Sequence, residues 1–139
     1  VKVHQATITV ATKGPRLYDV TEELARVIRA SGIRRGLANV FLRHTSASLV
    51  IQENADPSVL RDLQTWIEGV APESDRWEHD AEGPDDMPAH LRAALTKTQE
   101  TVPIVDGSLG FGTWQALYVW EHRRAPHRRE LVITAFGEG

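Results

Sequence analysis

Several apolar runs in this 139-residue chain follow one another with no helix between them, and that adjacency limits the fold more than any other feature. "GLANVFLRH" (36–44) and "SLVIQE" (48–53) read as successive strands around the hydroxyl-rich "HTSAS", and "ALYVWEH" (116–122) and "ELVITAF" (130–136) close the chain as another pair. Strands joined by short connections pair antiparallel, whereas a parallel pair needs a long crossover. The expectation is an α+β domain with a largely antiparallel sheet rather than a doubly wound parallel fold, its last two strands forming a hairpin.

The remaining segments fit that frame. The opening alternates, with Val3, Gln5, Thr7 and Thr9 on one side and His4, Ala6, Ile8 and Val10 on the other, as a half-buried strand does. A first helix carries Leu24, Val27 and Ile28, capped by Asp19 or Thr21 and stopped at Gly32. A second begins with Asp56 as cap and Pro57 at its first position, and buries Leu60, Leu63 and Ile67. A third, short helix is expected from about Pro88 to Lys97, followed by a strand at "VPIV" and the glycine-rich "DGSLGFGTWQ". With 41% hydrophobic residues and no linker or repeat, residues 1–139 read as one domain with two to three helices.

Composition narrows the chemistry. Without cysteine there is no disulfide framework and no thiolate zinc site, so any metal rests on His, Asp or Glu. A formal charge of -3 gives no general attraction to nucleic acid or anionic membrane. No run is apolar enough to span a bilayer, and the opening residues lack the layout of a signal peptide, which reads as a cytoplasmic protein.

The candidate site begins with "HDAEGPDDMPAH" (79–90), two histidines bracketing four acids and two prolines. If 36–44 is a strand, His44 ends the apolar row of Ala38, Val40 and Leu42 at the inner edge of the sheet. A buried neutral histidine is the ordinary reading of such a position. A further pair, His79 and His90, raises the alternative of a catalytic zinc on three imidazoles. Asp85 or Asp86 can cap the third helix and place His90 in its first turn, and the acids can orient the imidazoles. The eleven-residue spacing matches no standard zinc signature, and a solvated acidic loop fits the composition as well. Downstream, Glu121 shares a strand face with Leu117 and Val119, so it wants either an ion pair with Arg123, Arg124 or Arg129, or a role in proton transfer. Trp114 reads as packing, and His4, His122 and His127 have no supporting neighbours.

The strings "HTSASLVIQENADPSV", "HDAEGPDDMPAH" and "GTWQALYVWEHR" strongly resemble the YjbQ family, whose members are also described as secondary thiamine-phosphate synthases, and the resemblance covers essentially the whole chain. It implies a sandwich-like α+β domain, assembly as a homotrimer, and a divalent metal site, zinc first, built by His44, His79 and His90 near a subunit boundary. It also places Asn54, Asp56, Trp114 and Gln115 at a substrate pocket for a small phosphorylated metabolite, with Glu121 and Asp86 as the catalytic acids.

Three functions follow from these parts. The first is a thiamine-phosphate synthase-type transfer, joining hydroxymethylpyrimidine diphosphate to a thiazole phosphate, with the leaving diphosphate neutralised by the metal or by Arg43, Arg124 or Arg129. The second is a zinc-dependent hydrolase in which Glu121 or Asp86 moves the proton, and a three-histidine site suits this chemistry better. The third is a non-catalytic trimeric module that binds a metal or metabolite.

Overall fold

The chain runs β1 (Lys2–Thr12), β2 (Arg16–Asp19), α1 (Thr21–Ser31), β3 (Arg35–Leu42), β4 (Ala47–Glu53), α2 (Pro57–Val70), α3 (Asp86–Leu95), β5 (Gln99–Val105), β6 (Ser108–Leu109), β7 (Gln115–Glu121) and β8 (His127–Glu138). The computed structural model describes residues 1–139. A five-stranded sheet has the order β1-β8-β3-β5-β6 and a three-stranded sheet the order β2-β7-β4. Every strand pairing is antiparallel, as the α+β reading requires. No helix is long and apolar enough to cross a membrane.

The core joins both sheets and α1. Ala38, Val40 and Leu42 of β3, Leu131, Ile133 and Ala135 of β8, and Leu49, Leu117 and Val119 of the smaller sheet form one buried cluster with Leu24 and Ile28. Strand period two supplies the inward residues, and helical spacing supplies Leu24 and Ile28. Gly32 ends α1 in the left-handed conformation, its N–H bonded to the carbonyl of Arg29. Asp56 caps α2 as expected, accepting from the Ser58 N–H beside Pro57.

Three features depart from the sequence reading. The closing strands do not form a hairpin: β7 lies between β2 and β4, whereas β8 lies between β1 and β3. Residues 122–126 therefore carry the chain from one sheet to the other, because β7 and β8 each offer two pairing edges and find four different partners. The third helix starts at Asp86 rather than Pro88, and no side chain caps it, since Asp85 points to Arg123 instead. Strand β3 stops at Leu42, which leaves His44 in the following loop.

β7 is buried on both faces. Leu117, Val119 and Glu121 face the shared core, and Tyr118, Trp120 and His122 face the opposite side. There the Trp120 indole donates to Gln64 of α2 at 2.8 Å. On the core side, Glu121 is fully buried and meets Arg129 of β8, itself 3% exposed, through Nη2–Oε2 and Nε–Oε1 contacts of 2.5 and 2.7 Å. Thr12 of β1 donates to the same carboxylate, as do the backbone N–H groups of His122 and Arg123. Burial alone favours the neutral acid, but the hydrogen bonds from Arg129 and Thr12 outweigh it and hold the Glu121 pKa below the ordinary glutamate value.

Removing one partner strands the other charge in the core, so Arg129→Met should destabilise the fold by about 3–5 kcal/mol, whereas the double variant Glu121→Leu/Arg129→Met should recover much of that loss. Urea denaturation of the three proteins checks this. His122 is neutral in the fold, its pKa pushed down to about 3, first by burial and then by Arg92. Because the folded value lies below the unfolded one, its contribution is complete above about pH 6.5 and is lost as the pH falls toward 3. The wild type should therefore lose up to about 1.4 kcal/mol of stability per pH unit over that range relative to His122→Gln, read from denaturation at a series of pH values.

Candidate metal centre

Asp86 and His90 are one helical turn apart on α3, and that spacing puts both side chains on one face. The loop before α3 turns at Gly83, whose φ is 108°, and brings His79 back onto the same face. The ligand atoms of His79, Asp86 and His90 all lie within 4.8 Å of one another. His79 Nε2 is 2.6 Å from Asp86 Oδ2, and His90 Nε2 is 3.4 Å from the same oxygen. The two imidazole rings meet edge to face with centroids 5.3 Å apart. These three residues can hold a metal ion.

Their surroundings suit that use. His90 Nδ1 donates to the Thr45 carbonyl at 2.9 Å, which fixes the tautomer and leaves the Nε2 lone pair toward Asp86. The second carboxylate oxygen, Oδ1, accepts from Arg123 Nη1 at 2.7 Å, so Oδ2 is the one presented to the histidines. Arg123 also donates to Asp85 at 3.0 Å and to the Glu82 carbonyl at 2.9 Å, tying the loop to the end of β7. Burial opposes ionisation of Asp86, but its contacts with His79 and Arg123 outweigh that and keep its pKa below the ordinary aspartate value. Ligand atoms about 2.0–2.1 Å from a tetrahedral ion stand roughly 3.3 Å apart, close to the His90–Asp86 separation. Asp86 is buried, His90 half-buried and His79 exposed, so the group opens to solvent on the His79 side.

The other residues expected at the site are placed differently. His44 does not join the group: its Nε2 accepts from the Glu130 N–H at 2.8 Å, which uses the one lone pair of the neutral ring. Burial and the neighbouring Arg129 lower its pKa, which keeps the ring neutral. Asp86, expected as a proton carrier, supplies the third of the convergent atoms that could hold an ion. Glu121 is committed to Arg129 and Thr12. Asn54 donates to the carbonyls of Thr113 and Gln115, Gln115 accepts from the Gly112 N–H, and Asp56 caps α2. These three and the exposed Trp114 gather where β4 ends and β7 begins. The metal group lies by the opposite end, where Ala47 pairs with Glu121, roughly 20 Å away along the strands. Within one chain the two sets do not form one pocket.

A helix beginning at Pro88 leaves Asp86 outside it and so hides the one-turn relation of Asp86 to His90 that the earlier start of α3 creates. Sequence reasoning did not find Arg123 as the orienting cation, because its acidic partners lie some forty positions earlier in the chain.

Comparison with known proteins decides the family. The model of UPF0047 protein YjbQ-like chains matches residues 6–138. The chain belongs to the YjbQ/UPF0047 family. A UPF0047 relative from Synechocystis is 52% identical over 136 residues, covering 97% of this chain and 92% of its own. The YjbQ protein of Escherichia coli O157:H7 is 35% identical, with 97% and 99% covered. Among solved structures, an uncharacterised YjbQ/UPF0047 protein from Clostridium acetobutylicum superposes with a TM-score of 0.87 at 31% identity, covering 94% of this chain and 99% of that one. A conserved hypothetical protein from Thermus thermophilus gives 0.84 at 27%, with the same coverage. The YjbQ resemblance seen in the three motifs therefore holds over residues 6–138, and the solved relatives share the antiparallel sheets.

Metal content per chain, measured on protein without a histidine tag after loading with zinc, should be near stoichiometric in the wild type and in His44→Ala. It should be lost in His79→Ala, Asp86→Ala and His90→Ala. Arg123→Ala should keep the ligands but weaken metal affinity roughly 10- to 100-fold, as removal of an outer partner does.

Proposed function

We propose that the chain binds a divalent metal, zinc first, through His79, Asp86 and His90, and that the centre hydrolyses a small phosphorylated metabolite. The observation that carries this reading is the convergence of three ligand atoms, two of them aimed by partners outside the group, Thr45 for His90 and Arg123 for Asp86. A divalent ion on such ligands supplies Lewis acidity for a phosphoryl oxygen and lowers the pKa of water. The chain's own part is to fix the ligands. Thr45 holds His90 in one tautomer, Arg123 keeps Asp86 ionised and turned, and the exposed His79 stands on the side from which a substrate arrives.

Hydrolysis is favoured over thiamine-phosphate synthase-type transfer because the arginines considered for a leaving diphosphate are already paired. Arg43 meets Glu130, Arg124 meets Glu73 and Arg129 meets Glu121. A homotrimer belongs to the same proposal, and the exposed Trp66, Val70 and Leu95 of α2 and α3 are apolar surface that assembly would cover.

Zinc- or manganese-loaded protein should release p-nitrophenol from p-nitrophenyl phosphate, with turnover falling at least about 100-fold in Asp86→Asn and His90→Ala. If fully loaded protein hydrolyses neither this ester nor a panel of phosphorylated metabolites, the hydrolase reading fails while metal binding stands. Formation of thiamine phosphate from the two precursors would restore the synthase reading.

A further inference from the structure

A second cavity, of about 330 Å³, lies on the other side of α3 from the metal group. At 100° per residue, Asp85, Pro88 and Arg92, which line it, point roughly 150° away from Asp86 and His90. Its remaining walls come from Glu68 at the end of α2, Pro72 and Glu73 after it, Pro15, and His122 and Arg124 after β7. Its only apolar walls are the rings of the three prolines. Its volume is at the lower end of the range for small-molecule sites.

Two of its residues are buried and incompletely bonded. Arg92 is 8% exposed, and its one protein hydrogen bond runs from Nε to the Ala71 carbonyl at 3.2 Å, so the two terminal nitrogens of the fork are uncommitted. His122 is 1% exposed; its Nε2 lies 2.9 Å from the Ser48 hydroxyl, and its Nδ1 has no partner. Ser48 Oγ has no acceptor other than this ring, so the hydroxyl donates to Nε2 and the proton of the neutral ring sits on Nδ1. The His122 Nδ1–H is a buried donor without an acceptor, which is costly, while the terminal nitrogens of Arg92 reach solvent and are free to take an anion.

The acids sort the possible acceptors. Asp85 is bound by Arg123 and Glu73 by Arg124, so their charges are largely compensated. Glu68 accepts from the neutral Gln64 amide and, of the two acids that act on Arg92, is the one without a cationic partner. One net positive group thus stands beside one negative one. A single carboxylate suits the guanidinium fork, while a multiply charged phosphate meets repulsion from Glu68.

We propose that this cavity binds the carboxylate of a small polar metabolite, with Arg92 and the His122 Nδ1–H as donors, at a site separate from the metal centre. The ligand is small and of low charge, because charged and hydrogen-bonding groups supply most of the walls and the three prolines offer the only apolar patches.

Nitrogen-15 labelled protein titrated with sodium acetate, and in parallel with inorganic phosphate, tests this. The Arg92 Nε–H and His122 ring signals should shift saturably in the millimolar range with acetate, and more weakly with phosphate. His79→Ala, which alters only the metal group, should leave the shifts unchanged. Arg92→Gln should abolish them, and Glu68→Gln should tighten acetate binding several-fold through loss of the like charge. Shifts that rise linearly without saturation, that persist in Arg92→Gln, or that vanish in His79→Ala would overturn the proposal. Phosphate binding tighter than acetate would overturn the assignment to a carboxylate. The Glu68→Gln readout keeps the test decisive if Arg92→Gln does not fold, since unchanged acetate affinity in it counts against the site.

Discussion

The buried pair of Glu121 and Arg129 is the joint on which this structure turns. Glu121 closes a strand of the smaller sheet and Arg129 belongs to the larger one, so the contact ties the two layers at the rim of their shared core. Each partner then organises its own surroundings. Glu121 collects Thr12 and the backbone N–H groups that start the 122–126 connection. Arg129 donates to the carbonyl and hydroxyl of Ser46 and packs beside His44. A charge pair in this setting stabilises only through complete hydrogen bonding, because both ions lose their water. Here the carboxylate accepts from five donor groups, which is why it stays ionised in the interior.

From that joint the candidate metal centre is built outward in two short steps. Arg123 follows Glu121 by two residues, and its guanidinium holds Asp86 and Asp85. Thr45 precedes Ser46 and accepts from His90. The helix α3, which supplies two ligand atoms, is thus pinned from both sides by segments whose own positions depend on the ion pair. His44 and Glu121 shape the centre without touching it: they hold the loops that aim the ligands.

Much of this was legible in the residues and some was not, for physical reasons that differ from place to place. Periodicity of two and of 3.6 reports which face is buried, so Ala38, Val40 and Leu42, or Leu24 and Ile28, were read correctly. Local chemistry likewise announced Asp56 as a cap and Gly32 as a helix stop. Neither signal says which strand pairs with which, and so the two closing strands were assigned to one hairpin when they serve two sheets. The convergent group on α3 and its preceding loop was half legible. His79 and His90 stood out by composition; Asp86 converges with them, whereas His44 Nε2 accepts from the Glu130 N–H across the fold. His122 was passed over because its value lies in an atom left without a partner, a property of packing and not of spacing.

The place of β8 has a consequence for how the molecule is made. This strand, the last of the eight in chain order, lies between β1, the first, and β3. Until it arrives, both of those strands expose edges able to pair with another chain, and the anchor for Glu121 does not exist. Closing the larger sheet joins residues as far apart in sequence as Lys2 and Gly137, a slow step that waits until β8 is made. The interval before β8 docks is therefore when the edges of β1 and β3 are most open to pairing with another chain.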